Sequence, residues 1–341
     1  MTENNQDRGA FVIEERKRTM RLIMGLAVMA VVLQSLIYFE LMNLNWQLVI
    51  DQALITLIGA LGLSIIYGFT GQFSLGHAAF YGIGAYTAGV IGKLHGVFDL
   101  GYFALALLAG TVAAGLVALI VGIPVLRLKS DYLGIATLGF GFIVVKGAME
   151  NGDKLLAEFG GATGMTGVPQ IPHQFAFIML FILAILAIIL VRNFIDSSFG
   201  RVCVTIREDE IAADAMGINP FKYKVLAFVL GCAIAGFAGG LYAYRFPLVH
   251  PSTFDFMPSI NFLLIVVLGG LGSLSGTVIT AIVWIFLLAT LRQFPQVVEY
   301  QGVIYALILI LLIQIRPQGI FGGKEWNYLF PAVDRKERSE A

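Results

Sequence analysis

The sequence predicts an all-α, polytopic integral membrane protein with about ten hydrophobic helical segments, some of them discontinuous, and both termini cytoplasmic. Three observations carry that expectation. Of 341 residues, 58% are hydrophobic and 13% charged, against about 45–50% and about 25% in soluble domains, and the mean hydropathy is +0.85. Apolar runs recur at or near the about 20 residues that one membrane span requires. Lys and Arg are also unevenly distributed between alternate connections, as the positive-inside rule expects.

The tail 1–21 carries Arg16, Lys17, Arg18 and Arg21, imitating the start of a signal peptide, and leads into the apolar run 22–39. Glu40-Leu41-Met42-Asn43 follows with no small-x-small cleavage site, so that run reads as a retained first span. Nine more segments follow: 46–68, 75–94, 100–126, 132–149, 174–191, 224–244, 258–270, 274–291 and 302–315. The transmembrane core is thus expected over 22–316, flanked by cytoplasmic tails at 1–21 and 317–341. With the N-terminus inside and one crossing per segment, inside regions hold 17 Lys and Arg. The outside holds five: Lys93, Lys146, Lys154, Arg245 and Arg292.

Two crossings are irregular. The hinges 68–74 and 269–276 are uncharged and rich in Gly and Ser, and 258–270 is short for a span. Free backbone groups at such breaks are tolerated only against protein or a water-filled cavity, and in transporters they often line the substrate path. Tight turns or close packing account for the same residues, and both readings stay open. The hinges share Gly71-x-x-Ser74-Leu75-Gly76 and Gly270-x-x-Ser273-Leu274-Ser275-Gly276, which fits either an internal repeat or coincidence in a chain with 39 Gly. Gly92/Gly96 and Gly236/Gly240 have the spacing of close helix packing.

The chemistry that is missing is equally informative. Net charge is zero, so nothing points to nucleic acid. No GxxxxGK[ST] loop, HExxH or GxSxG occurs, the four His are scattered, and Cys203 and Cys232 have no metal-ligand or redox spacing. No catalytic residue, metal or cofactor is expected. Ionisable groups at membrane depth are functional candidates: Asp51 near the outer end of the second segment, Lys146 and Arg292 near span ends, and His77 past the first hinge. Asp51 reads equally as an interfacial residue, and His77 as a hydrogen-bonded packing residue. No segment carries a mid-span carboxylate, so transport energy is expected from outside the chain.

The connection 192–224 is the longest inside loop. Thr205 and Glu208 have capping-box spacing, Gly217 suits a left-handed helix end, and Pro220 prevents continuation. One helix over 206–216 is expected. Its Ala-rich face with apolar anchors suits a groove on a partner, while Glu210, Asp214 and Arg207 share a polar sector. A helix lying on the inner membrane surface is the other reading.

The stretch from Tyr67 to Tyr86, YGFTGQFSLGHAAFYGIGAY, resembles the signature of branched-chain amino acid ABC importer permeases, M-type subunits more than H-type. The segment Phe199-Gly200-Arg201 and then 206–218 resembles that family's coupling segment, and 160–167 and 269–276 fit as well. The resemblance runs over about 45–322. It implies that Glu210, Ala212, Ala213 and Gly217, together with Arg207, dock into an ATPase. It departs from the general Glu-Ala-Ala pattern by Ile211 after Glu210. It further implies a homologous H-type permease as heterodimer partner, two cytoplasmic ATPase subunits, and an extracytoplasmic amino-acid-binding protein that meets the outer loop 150–173. Substrate-path candidates are Gly71, Gln72, Ser74, Gly76, His77, Ser259, Asn261, Gly272 and Ser273. Urea or short-chain amide permeases of the same superfamily share the hinge, and an autonomous carrier or channel is a further alternative.

Overall fold

The computed structural model describes residues 30–294 apart from Lys129 and Leu155, together with Gly25, Val28 and scattered positions between Tyr300 and Ile320. Of the expected span 22–39, residues 30–38 are described and helical; half of 302–315 and nearly all of both tails lie outside the described residues. The described chain is helical almost throughout. Its helices are α1 (Leu44–Leu63, continued as a π-helix through Phe69), α2 (His77–His95), α3 (Leu100–Val125) and α4 (Ser130–Phe142, continued as a π-helix through Met149). After a long connection come α5 (His173–Asp196), α6 (Ser198–Glu208), α7 (Glu210–Ala215), α8 (Pro220–Arg245), α9 (Phe256–Gly269) and α10 (Leu274–Leu291). Among the described residues, seven stretches are long and apolar enough to span a membrane: Leu44–Phe69, Leu100–Val125, Tyr132–Met149, His173–Asp196, Pro220–Arg245, Pro251–Gly269 and Leu274–Leu291.

Local sequence sets most boundaries. Asp99 caps α3 by accepting from the N–H groups of Gly101 and Tyr102 at 3.0 and 3.1 Å, satisfying donors that a helix start leaves free. Asn219 caps α8 ahead of Pro220, whose missing N–H is harmless at the first helical position. Gly96, at φ +80°, closes α2.

The expected span 75–94 corresponds to α2, which is not among the seven. It packs between α3 and α8, and its Ala and Gly residues face those helices. With protein rather than lipid around it, α2 needs fit more than hydrophobicity. Gly84 meets the Gly236 and Gly110 backbones, and Gly239 meets the Tyr81 carbonyl, so a Cβ at either would force the helices apart. Of the expected glycine pairs, Gly236/Gly240 packs against α3, whereas Gly96 only ends a helix and touches nothing.

Depth can be read across these contacts. Gly84 lies level with Gly110 and Gly236, so at 1.5 Å per residue it sits about 14 Å below the loop-side ends of α3 and α8, each a 26-residue helix of about 39 Å. Gly82, half a turn deeper, meets Met149 and Phe254. The helix through α4 therefore ends, and α9 begins, near mid-membrane. α9, with 14 residues, is about 21 Å long and covers only half the thickness. The outer half above them is filled by the connection 150–171, whose Met165–Thr166 strand (β1) pairs antiparallel with Leu248–Val249 (β2).

Two expectations change here. Asp51 does not reach headgroups or solvent: at the outer end of α8 it is buried and bonds Arg245 Nε at 2.6 Å, and Arg245 is itself buried rather than in an outer loop. The chain also has carboxylates at depth, because Glu150 and Asp255 flank the mid-membrane ends of α4 and α9. The connection 150–171 is not a free appendage either. Met165 is buried, Phe159 stacks on Tyr86, and Lys93 Nζ donates to the Glu158 carbonyl at 3.2 Å.

Candidate coupling and hinge site

The connection 192–224 folds as two short helices rather than one. α6 runs through Glu208, the backbone extends at Asp209 (φ −154°, ψ 107°), and α7 follows. Thr205 is inside α6, its hydroxyl donating to the Arg201 carbonyl at 3.0 Å. The cap is Asp209, whose Oδ1 accepts from the N–H groups of Ile211 and Ala212 at 2.9 and 3.0 Å. Gly217 takes the left-handed position expected of it (φ +83°), donating to the Asp214 carbonyl at 2.9 Å. Pro220 opens α8.

Within α7, Ala213 is buried, while Ala212, Asp214 and Ala215 are exposed. Ile211 and Met216 each expose 83% of their surface, so the apolar anchors point away from the protein. Glu210 bonds Lys224 Nζ at 2.6 Å, tying α7 to the N-terminal part of α8.

Arg207 joins this loop to both hinges. Its Nη1 donates to the Gly68 carbonyl at 2.6 Å, which the end of α1 leaves free of helical partners. A Cβ at Gly71 would meet Arg207 Cγ at 2.9 Å, and one at Gly272 would meet Nη1 at 2.5 Å. Both glycines have positive φ, +74° and +80°. The two breaks thus meet on one guanidinium, which also pairs with Glu208.

Beyond Gly71 the first hinge turns back into the helix bundle. Gln72 Nε2 donates to the Lys224 carbonyl at 3.1 Å, and the Leu75 N–H donates to Thr137 Oγ1 at 3.1 Å. Gly76 lies against the Thr137 carbonyl, leaving no room for a Cβ. His77 is buried at the start of α2 and donates from Nε2 to the Gly59 carbonyl at 2.9 Å. Gly59 is 15 residues, about 22 Å, into α1, so α2 starts inside the bundle and the 70–76 segment is re-entrant. Ser259 Oγ accepts from the Ala78 N–H at 3.0 Å, stitching α9 to the same point. The second hinge is capped by Ser273, whose Oγ accepts from the Gly276 N–H at 3.1 Å.

Gly71, Gln72, Ser74, Gly76, His77, Ser259, Gly272 and Ser273 are therefore gathered where α1, α2, α9 and α10 meet. Gln72 Oε1, Ser74 Oγ and His77 Nδ1 are buried without a partner among the described residues. Asn261 stands apart, two residues and so about 200° round α9 from Ser259. Thr137, which no pattern singled out, holds the hinge from α4. Cys203 on α6 is buried near Thr70, and burial pushes its thiol upward. No group of three His, Cys, Asp or Glu suited to a metal occurs among the described residues.

Comparison with known proteins follows the same outline. Residues 47–313 match the model of a family described as the branched-chain amino acid transport system permease component. The chain is 33% identical over 301 residues to the high-affinity branched-chain amino acid transport system permease protein LivM of Salmonella typhimurium, covering 78% of this chain and 68% of that protein. The Escherichia coli LivM gives the same figures. Identity is 28% over 287 residues to BraD of Pseudomonas aeruginosa, covering 78% and 91%. No solved structure matches.

Proposed function

Because this chain belongs to the branched-chain amino acid transport permease family, we propose that it is the M-type permease subunit of an ABC importer carrying Leu, Ile or Val. It is a multi-pass membrane protein with no chemistry of its own to perform, and its place is the bacterial cytoplasmic membrane. A homologous H-type permease completes the translocation path, two cytoplasmic ATPase subunits hydrolyse ATP, and an extracytoplasmic amino-acid-binding protein delivers the substrate. Similarity to the permease protein LivH of Escherichia coli, at 28% identity, beside that to LivM supports a pair of related subunits.

The observation that carries this reading is Arg207. The exposed face of α7, with Ile211 and Met216, suits the cleft of an ATPase, and Gly217 and Asp209 hold that face rigidly at both ends. A push on α7 is delivered through α6 to Arg207, and from Arg207 to the Gly68 carbonyl, Gly71 and Gly272. Alternating access follows when both hinges move with the loop.

The test is reconstitution in proteoliposomes. ATP-dependent uptake of leucine is expected only when this chain, the H-type permease, both ATPases and the binding protein are all present. Uptake by this chain alone under an ion gradient overturns the importer reading, and uptake of urea in place of Leu, Ile and Val overturns the substrate.

A further inference from the structure

A second polar cluster lies about halfway from the coupling loop toward the opposite face, beside the starts of α2 and α9. Lys146 sits one turn before Met149 on α4, near the middle of the 39 Å depth derived above, yet its side chain is 56% exposed. It pairs with Glu150 and lies within electrostatic reach of Asp255. Exposed ions facing hydrocarbon at that depth are strongly disfavoured, so this face of α4 looks onto water or another subunit.

The rest of the face agrees. Tyr132, Ile135, Gly139, Phe142 and Lys146 recur at helical spacing as an exposed stripe, and a Cβ added at Gly139 or Gly147 would meet no other part of the protein within 4 Å. Beside the stripe lies a shallow, open cleft between α4 and the starts of α2 and α9. Leu75, Ala79, Leu138 and Phe142 form its apolar wall, and Asp255 and Ser259 its polar one. Asp255 caps α9 through Oδ1 at 2.8 Å and has no basic ion-pair partner within 4.0 Å among the described residues.

The geometry points to this cleft as a station for a free α-amino acid on the translocation path: Asp255 receives the ammonium, Lys146 turns from Glu150 to the carboxylate, and the apolar wall takes an aliphatic side chain. The charges support that assignment. Lys146, Glu150 and Asp255 sum to −1 when ionised, which leaves one carboxylate awaiting a cation, while the movable ammonium of Lys146 supplies the anion site. A urea or amide, lacking both charges, has no use for either group. The station rests on the importer reading above and adds where its substrate binds.

The experiment uses the complete transporter in proteoliposomes. Asp255→Asn and Lys146→Gln are each expected to lower leucine uptake about tenfold or more, chiefly through KM, as loss of a charge-assisted contact does. Phe142→Cys gives a readout independent of those variants' folding. Its maleimide labelling is expected to slow with leucine and not with 4-methyl-2-oxopentanoate, which lacks the ammonium. If the wild type carries leucine but Asp255→Asn and Lys146→Gln match it, or if Phe142→Cys labels equally fast with and without leucine, the station is wrong and the importer reading stands. If the wild type carries none of Leu, Ile or Val, the importer reading itself falls.

Discussion

Replacing Arg207 with Ala tests the transmission path directly. The Nη1 bond to the Gly68 carbonyl, at 2.6 Å, is charge-assisted, a class worth about 1.5–3 kcal/mol when buried. The side chain is 26% exposed, so the lower end, about 1.5 kcal/mol, applies. Its pair with Glu208, which is 67% exposed, adds at most about 0–1 kcal/mol. At about 1.4 kcal/mol per factor of ten, Arg207→Ala should weaken loop-to-hinge coupling roughly tenfold. The assay is the ratio of leucine taken up to phosphate released in proteoliposomes carrying the full complex. ATP hydrolysis should persist while transport per ATP falls about tenfold, and Arg207→Lys, which keeps charge but loses the planar fork, should fall between. An unchanged ratio in Arg207→Ala would refute the path, however much total activity changed.

Other outcomes follow from the same geometry. Gly217→Pro cannot hold φ +83°, and Glu210→Lys sets two cations together at Lys224; both should abolish stimulated ATPase activity while membrane insertion, read by fractionation, persists. Gly239→Ala pushes α8 off the Tyr81 carbonyl and should cost about 1–3 kcal/mol, visible as a lower melting temperature in detergent. Asp51→Asn leaves Arg245 buried and unpaired, a loss of about 3–5 kcal/mol that a paired Asp51→Leu/Arg245→Met variant should largely recover in the same melt. Cys203, buried with its thiol pushed up, should resist alkylation at neutral pH and react faster only if nucleotide-driven motion opens α6 from the hinge.

What could be read from sequence was what single residues or short spacings decide. Seven of the expected spans coincide with described helical stretches long and apolar enough to cross a membrane, because a crossing needs a long apolar run wherever it occurs, and Gly217 was legible because few residues tolerate positive φ. The break in the coupling loop was not. Thr205 and Asp209 are both good caps, and propensity alone does not choose between them. Asp209 prevails because α6 must carry Arg207 to the Gly68 carbonyl, a contact 139 residues away in sequence. The site's assembly was hidden for the same reason: Gly71 and Gly272 each looked like a hinge, but nothing local says that one guanidinium touches both. Asp51 and Arg245, 194 residues apart, looked like two interfacial charges.

Depth explains the remaining errors and changes how the charges should be counted. Sorting Lys and Arg by loop assumes that every basic residue between apolar runs lies in water. Arg245 and Lys146 break that assumption, one neutralised by Asp51 inside the bundle and the other placed mid-membrane because α4 ends early. Removing them leaves Lys93, Lys154 and Arg292 outside against 17 inside, so the asymmetry behind the proposed orientation widens. The two that were removed mark different physics. Arg245 is locked to a buried carboxylate and serves the fold, since neither partner can leave without stranding the other. Lys146 is exposed and shares its partner with open space beside Asp255, and a charge kept at that depth without being locked is useful only to something that passes by.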